Sequence, residues 1–130
     1  GPVLVTPHRG EYARILGPHE DLEDPETLME FARKFRLTIL LKGNPTLVTD
    51  GERLIHVPSG GPVLARGGSG DILAGMALVQ LAQDPEHPLE AAIRAVAWHD
   101  AAADALARER GATAVRTSEL LDYLAPSLRA

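Results

Sequence analysis

A chain of 130 residues, 45% of them hydrophobic, has the size of one globular domain with a real core; with only 4% aromatics, that core must be mostly Ala, Leu, Val and Ile. The net charge of −5 and the lack of any basic tract argue against nucleic acid or an acidic membrane surface as a partner. The absence of cysteine excludes disulfides and thiolate metal sites, and without a signal segment or a long apolar run the expectation is a soluble, cytoplasmic chain.

The sequence opens as GPVLVTPH, inside what reads as a strand. Val3–Val5 is a short apolar run that Thr6-Pro7 ends. A start without lead-in is expected of a fragment cut from a larger protein. Glu11–Leu16 is predicted as a short helix, stopped by Gly17-Pro18. Asp24-Pro25 has the form of an N-cap followed by a first helical residue. Leu28, Met29, Phe31, Ala32 and Phe35 give that helix an apolar stripe to about Arg36. Leu37–Gly43 (LTILLKG) is a continuous apolar run of strand length, as expected for a strand covered on both faces. TLVTDGERLIHV predicts a hairpin with arms Thr46–Thr49 and Arg53–Val57 and an Asp50-Gly51 turn. PSGGP at 58–62 reads as a loop and VLA at 63–65 as one more short strand. A helix is predicted from near Gly68-Ser69 to about Gln83, where DPEHP breaks it. Leu89–Arg110 is a long alanine-rich helix whose small residues predict close packing, and Gly111 ends it. Thr117-Ser118 with Glu119 opens a last helix carrying Leu120, Leu121, Leu124 and Leu128. Strands interleaved with helices, without repeat or linker, argue for an α/β layer fold.

Three stretches carry chemistry. RGGSGDILAG, residues 66–75, sets glycines directly before a helix, whose first N–H groups are unpaired and partly positive. Such a start seats a phosphate, because glycines let the backbone approach an anion. It lacks the Gly-Lys-Ser/Thr ending of a P-loop and the GxGxxG register; the alternative is a plain helix cap by Ser69 or Asp71. A carboxylate among anion-seating amides suits a base that takes a proton from a hydroxyl facing the phosphate. Lys42-Gly43 follows a strand predicted to be buried, at the strand end where α/β folds place ligands; the alternative is a snorkelling lysine. TPHRGE, residues 6–11, also follows a strand. His8 there could hydrogen-bond a ligand or act as a base, Glu11 could cap the next helix, and the alternative is loop punctuation. His8 and Glu11 have no third metal ligand nearby in sequence. His99, Asp100 and Asp104 read as packing and local hydrogen bonding in the long helix, and His56 as sheet surface.

In the order strand-TPHRGE, strand-KG, hairpin, GGSGD-helix, the chain resembles the second half of a ribokinase-like fold. It most closely resembles the ADP- or ATP-dependent NAD(P)H-hydrate dehydratase family. Thr6-Pro7-His8-Arg9-Gly10-Glu11 stands where that family has a TPHPGE-like loop. Lys42-Gly43-Asn44-Pro45-Thr46 stands for its KG-x-x-T loop, and Gly67-Gly68-Ser69-Gly70-Asp71-Ile72-Leu73 for its GG-[ST]-GD-[VI]-L helix start. The last motif alone marks only the superfamily; the His-bearing loop and the hairpin spacing separate dehydratases from sugar or vitamin kinases.

The resemblance implies that residues 1–130 are a single partial ribokinase-like domain: the C-terminal half of a three-layer α/β/α fold with a mostly parallel sheet, lacking its N-terminal half. It implies ADP-dependent dehydration of hydrated NADH or NADPH, by phosphorylation of the ring hydroxyl and loss of phosphate. By the same resemblance Asp71 contacts the substrate hydroxyl as base, and the amides of Gly68, Ser69 and Gly70 hold the transferring phosphoryl group. Lys42, Gly43, Asn44, Pro45 and Thr46 bind the nucleotide together with Gly70, and His8 contacts the hydrated cofactor. ADP, or ATP, is the expected co-substrate. Mg²⁺ is expected with its phosphates, without a dedicated metal ligand in the chain. A homo-oligomer and association with an NAD(P)H-hydrate epimerase are expected, and neither nucleic acid nor membrane.

The chain departs from the pattern in places. Asn44-Pro45 stiffens a loop that usually reads KG-[AG]-x-T. Arg9 replaces the second Pro of TPHPGE, and Gly60–Ala65 (GGPVLA) lacks the Asn of a GNPGLA-like stretch. The family's domain is about twice as long, on the order of the 250 residues a single α/β domain reaches. Two other readings stay open: a ribokinase-like small-molecule kinase using the same Asp71, and a truncated nucleotide-binding chain without turnover.

Overall fold

A computed structural model describes residues 2–18, 20–58 and 69–110. β1 (Leu4–Val5) and β2 (Thr38–Leu41) lie side by side and parallel, joined by a crossover that contains α1 (Arg9–Leu16) and α2 (Pro25–Phe35). β3 (Thr46–Thr49) and β4 (Leu54–Val57) complete a four-stranded sheet in the order β1-β2-β3-β4, and α3 (Ser69–Gln83) and α4 (Pro88–Arg110) follow. The loop at 59–62, the strand expected at 63–65 and the last helix from Thr117 lie outside the described residues.

Within the described residues the sheet is mixed rather than mostly parallel. β2 and β3 are antiparallel, as are β3 and β4. The cause is connection length. Only residues 42–45 separate β2 from β3, and a parallel neighbour needs a crossover of a dozen residues or more. The predicted hairpin stands, with Leu47 opposite His56 and Val48 opposite Ile55.

Side-chain alternation sorts the apolar residues into two layers, one on each face. Leu40 and Val48 face α3 and α4, where they cluster with Leu73, Met76, Leu89 and Val96. Ile39 and Leu41 face α1 and α2, where they cluster with Tyr12, Leu28 and Ala32. All four residues of β2 are therefore buried, as the apolar run predicted. The result is three layers: α1 and α2, the sheet, and α3 and α4. Alanine lets α4 come close: Ala91, Ala92, Ala95 and Ala102 are wholly buried. Tyr12 is also buried, edge-on to Phe31 at 6.2 Å between ring centroids. Its hydroxyl meets no hydrogen-bond partner among the described residues, and burial pushes its pKa up to about 12. Among the described residues no helix is long and apolar enough to cross a membrane.

The hairpin is pinned to α2 from behind. Arg33 donates to the carbonyl of Gly51 at 2.8 Å and to Glu26 at 2.6 Å. Gly51 has φ +97°, and a Cβ there would fall 3.0 Å from the Arg33 backbone nitrogen. Gly17 has a similar φ of +90° but open space around it. Gly17→Ala is therefore expected to carry backbone strain alone, about 1 kcal/mol, and Gly51→Ala to lose up to about 3 kcal/mol. Urea unfolding of the two variants checks this, and equal losses would contradict the Arg33 contact.

Candidate active site

The parallel pairing of β1 and β2 continues past the strands. Leu4 pairs with Thr38, Val5 with Ile39 and, beyond Thr6-Pro7, His8 with Lys42. Every partner is 34 positions on, so the register holds through the loop. The Lys42 N–H donates to the Pro7 carbonyl at 3.0 Å. Two stretches that sequence analysis weighed separately thus meet at the carboxyl ends of adjacent strands, where ligands of open α/β sheets sit.

His8 opens α1. Its Nδ1 accepts from the Glu11 N–H at 3.1 Å, and its own N–H donates to Glu11 Oε1 at 3.0 Å. This is a reciprocal capping box with histidine in the place of Ser or Thr. The backbone hydrogen bond from His8 is the main cause that holds the Glu11 carboxyl below its usual pKa. Because Nδ1 accepts, the ring proton sits on Nε2. That nitrogen lies 3.3 Å from Glu11, with the side chain half exposed. In that tautomer Nε2 is a donor and not a base.

The loop after Lys42 is short and braced. Thr46 Oγ1 donates to the Gly43 carbonyl at 3.1 Å, and the Asn44–Pro45 peptide is cis. Lys42 and Gly43 are half-buried, Asn44 is exposed, and Thr46 is buried. Arg9 has no motif role in the sequence. Its guanidinium lies against the bare backbone of Gly43, so close that a Cβ on Gly43 would sit 2.8 Å from Arg9 Cζ. The signal that could have found it was an arginine where a proline is usual.

The glycine-rich stretch reaches the described structure only at its end. Gly68 lies outside the described residues; Ser69, Gly70 and Asp71 are the first three residues of α3. Topology fixes which end of the sheet this is. Thr46 pairs with Val57, so the chain leaves β4 beside the Lys42–Thr46 loop. At the opposite end, Arg53 pairs with Glu90 in the first turn of α4, and Arg94 reaches Asp84, just past the end of α3, at 3.0 Å. α3, 15 residues and about 22 Å long, runs from one end to the other. Ile72 and Leu73, the residues after Asp71, belong to the apolar cluster between the sheet and α4. With its last turn near the Arg94–Asp84 pair, α3 starts toward the end of the sheet that carries His8 and Lys42.

His56 is exposed on β4, and His99 is buried within α4, where it has interactions of its own. A second, apolar groove runs along the outer edge of β1, lined by Val5, Pro7, Ile15, Phe31, Leu37 and Ile39 among others; the only charged group in its lining is Glu11. A groove of that kind does not suit phosphate. The convergent end, with the cations of Arg9 and Lys42 and a helix N-terminus, does.

Comparison with known proteins identifies the family. The family described as NAD(P)H-hydrate dehydratase matches residues 1–126. The chain is 40% identical over 134 aligned residues to a bifunctional NAD(P)H-hydrate repair enzyme of Moorella thermoacetica, covering 99% of this chain and 25% of that protein. It is 39% identical to an ADP-dependent (S)-NAD(P)H-hydrate dehydratase of Bacillus subtilis, over 95% of this chain and 46% of that one. A crystal structure of the ADP/ATP-dependent NAD(P)H-hydrate dehydratase of Bacillus subtilis, co-crystallized with ATP/Mg²⁺, superposes with a TM-score of 0.84 at 36% identity. The match covers 99% of this chain and 48% of that one. The chain thus spans a quarter to about half of these relatives, and its architecture is the ribokinase-like α/β fold.

Proposed function

The chain belongs to the NAD(P)H-hydrate dehydratase family, and we propose that it acts in ADP-dependent repair of hydrated NADH and NADPH. The observation that carries this reading is the His8–Lys42 pairing, which joins the substrate loop to the nucleotide loop at one end of the sheet.

Asp71 takes the proton of the ring hydroxyl as that oxygen attacks the terminal phosphorus of ADP. The bond to AMP breaks. The amides of Gly68, Ser69 and Gly70 receive the phosphoryl charge through a preorganised, oxyanion-hole kind of contact. Lys42 to Thr46, with Gly70, hold the nucleotide, and His8 donates through Nε2 to the hydrated cofactor. The ring nitrogen's electron pair then expels phosphate, a far better leaving group than hydroxide. Loss of a proton from the neighbouring carbon restores the double bond. ATP serves in place of ADP in this scheme, and Mg²⁺ accompanies the phosphates. Among the described residues no group of three or more His, Asp or Glu forms a metal site. Association with an NAD(P)H-hydrate epimerase suits the bifunctional naming of the Moorella relative.

The test is recovery of the absorbance of reduced nicotinamide when hydrated NADH or NADPH is mixed with protein and ADP, and then ATP. No recovery with either nucleotide from the intact protein rejects the reading. A phosphorylated product that accumulates without releasing phosphate points to a small-molecule kinase instead.

A further inference from the structure

We propose that Arg9 is a phosphate contact for the nucleotide held by the Lys42–Thr46 loop. The proposal rests on the reading of that loop as nucleotide-binding. Arg9 is the first residue of α1, so its backbone is fixed by the His8–Glu11 capping box. Its side chain leaves the helix and crosses to the next strand's loop, where the guanidinium covers Gly43. Glycine at 43 is what gives it room.

Among the described residues the charge around it is unbalanced. Arg9 is half-buried, and no described carboxylate forms an ion pair with it. Lys42, beside Gly43, has no such partner either. Glu11, the nearest acid in sequence, is engaged by the His8 backbone. A partly buried guanidinium that meets no carboxylate among the described residues suits an anion that arrives from solution. Its planar fork matches two phosphate oxygens at once, which the point charge of Lys42 cannot do. Nothing in the helix demands arginine here: the first helical position favours proline, whose fixed φ suits it and whose missing N–H goes unused. The cation stands there at the expense of that preference, and it stands over the loop it is proposed to serve.

The test is calorimetric titration of the intact protein with ADP and with adenosine, for wild type, Arg9→Pro and Arg9→Lys. Arg9→Pro keeps the helix start and deletes the guanidinium. ADP affinity is expected to fall roughly tenfold in Arg9→Pro and by less in Arg9→Lys, with adenosine affinity unchanged, because a lost charge-assisted hydrogen bond acts on phosphate alone. ADP affinity within about twofold of wild type would overturn the proposal. So would equal losses for ADP and adenosine, which mark a disturbed loop. Failure of wild type to bind ADP overturns it together with the nucleotide reading of the loop. Arg9-dependent ADP binding without recovery of reduced nicotinamide leaves the contact standing and rejects the dehydratase reading.

Discussion

Asp71→Asn is expected to lower kcat for repair of hydrated NADH by about 10²- to 10⁴-fold, the usual worth of a positioned general base. The amide has the shape of the carboxylate but cannot take the hydroxyl proton. Asp71 is the third residue of α3, and the next two, Ile72 and Leu73, belong to the apolar core cluster. The substitution leaves those anchors and the backbone amides of Ser69 and Gly70 in place. KM for ADP is therefore expected to stay near the wild-type value while kcat falls. Absorbance recovery under saturating ADP separates the two quantities. A variant that retains its kcat would remove Asp71 from the chemistry and leave only a helix cap. A rise in KM alone would move it to nucleotide binding.

Leu40→Ala is expected to destabilise the fold by about 2–5 kcal/mol, the range for emptying a well-packed leucine site. Leu40 has no exposed surface and sits in the middle of β2, in the cluster that joins the sheet to α3 and α4. The sheet on either side of it and the two helices above it leave little freedom to collapse into the space. Urea unfolding measures the loss. A loss below about 1 kcal/mol would mean that α3 closes onto the sheet, shifting the helix start and with it Ser69 to Asp71. Activity of the surviving folded protein would then fall out of proportion to its stability.

Local chemistry made much of this fold legible. Asp24-Pro25 marks the start of α2, as Asp24 caps it through Glu26, and Asp50-Gly51 marks the hairpin turn. β2 announces itself as an apolar run, because a strand buried on both faces has no polar side to alternate with. The start of α1 was set at Glu11, two residues late, because a histidine N-cap lies outside the usual Ser, Thr, Asp and Asn. The antiparallel turn from β2 into β3 was missed, since KGNPT reads as a ligand loop and not as a turn. The meeting of His8 with Lys42 has no local signal at all; it depends on a register carried over 34 positions. Motifs in the sequence propose His8, Lys42 and Asp71 as site residues; Arg9 shows there only as an arginine where a proline is usual, and only the fold brings it onto Gly43.

That register has a kinetic side. β2, β3 and β4 are successive in the chain, so their ladders close over a few residues. β1 reaches β2 only after the whole crossover has been brought round, and closing that longer loop costs entropy which the short turns do not. Contacts near in sequence form early, and distant ones later. The meander is thus expected to be the durable part of the sheet, and the joint between β1 and β2 to assemble last and open first. In native-state hydrogen exchange the Lys42 amide is expected to open at lower free energy than that of Val48 in the middle strand. Equal protection of the two would show that the sheet opens as one unit. The protein would on this account lose its chemistry before it loses its shape, and a partly opened molecule would be an intact meander with nowhere to put a phosphate.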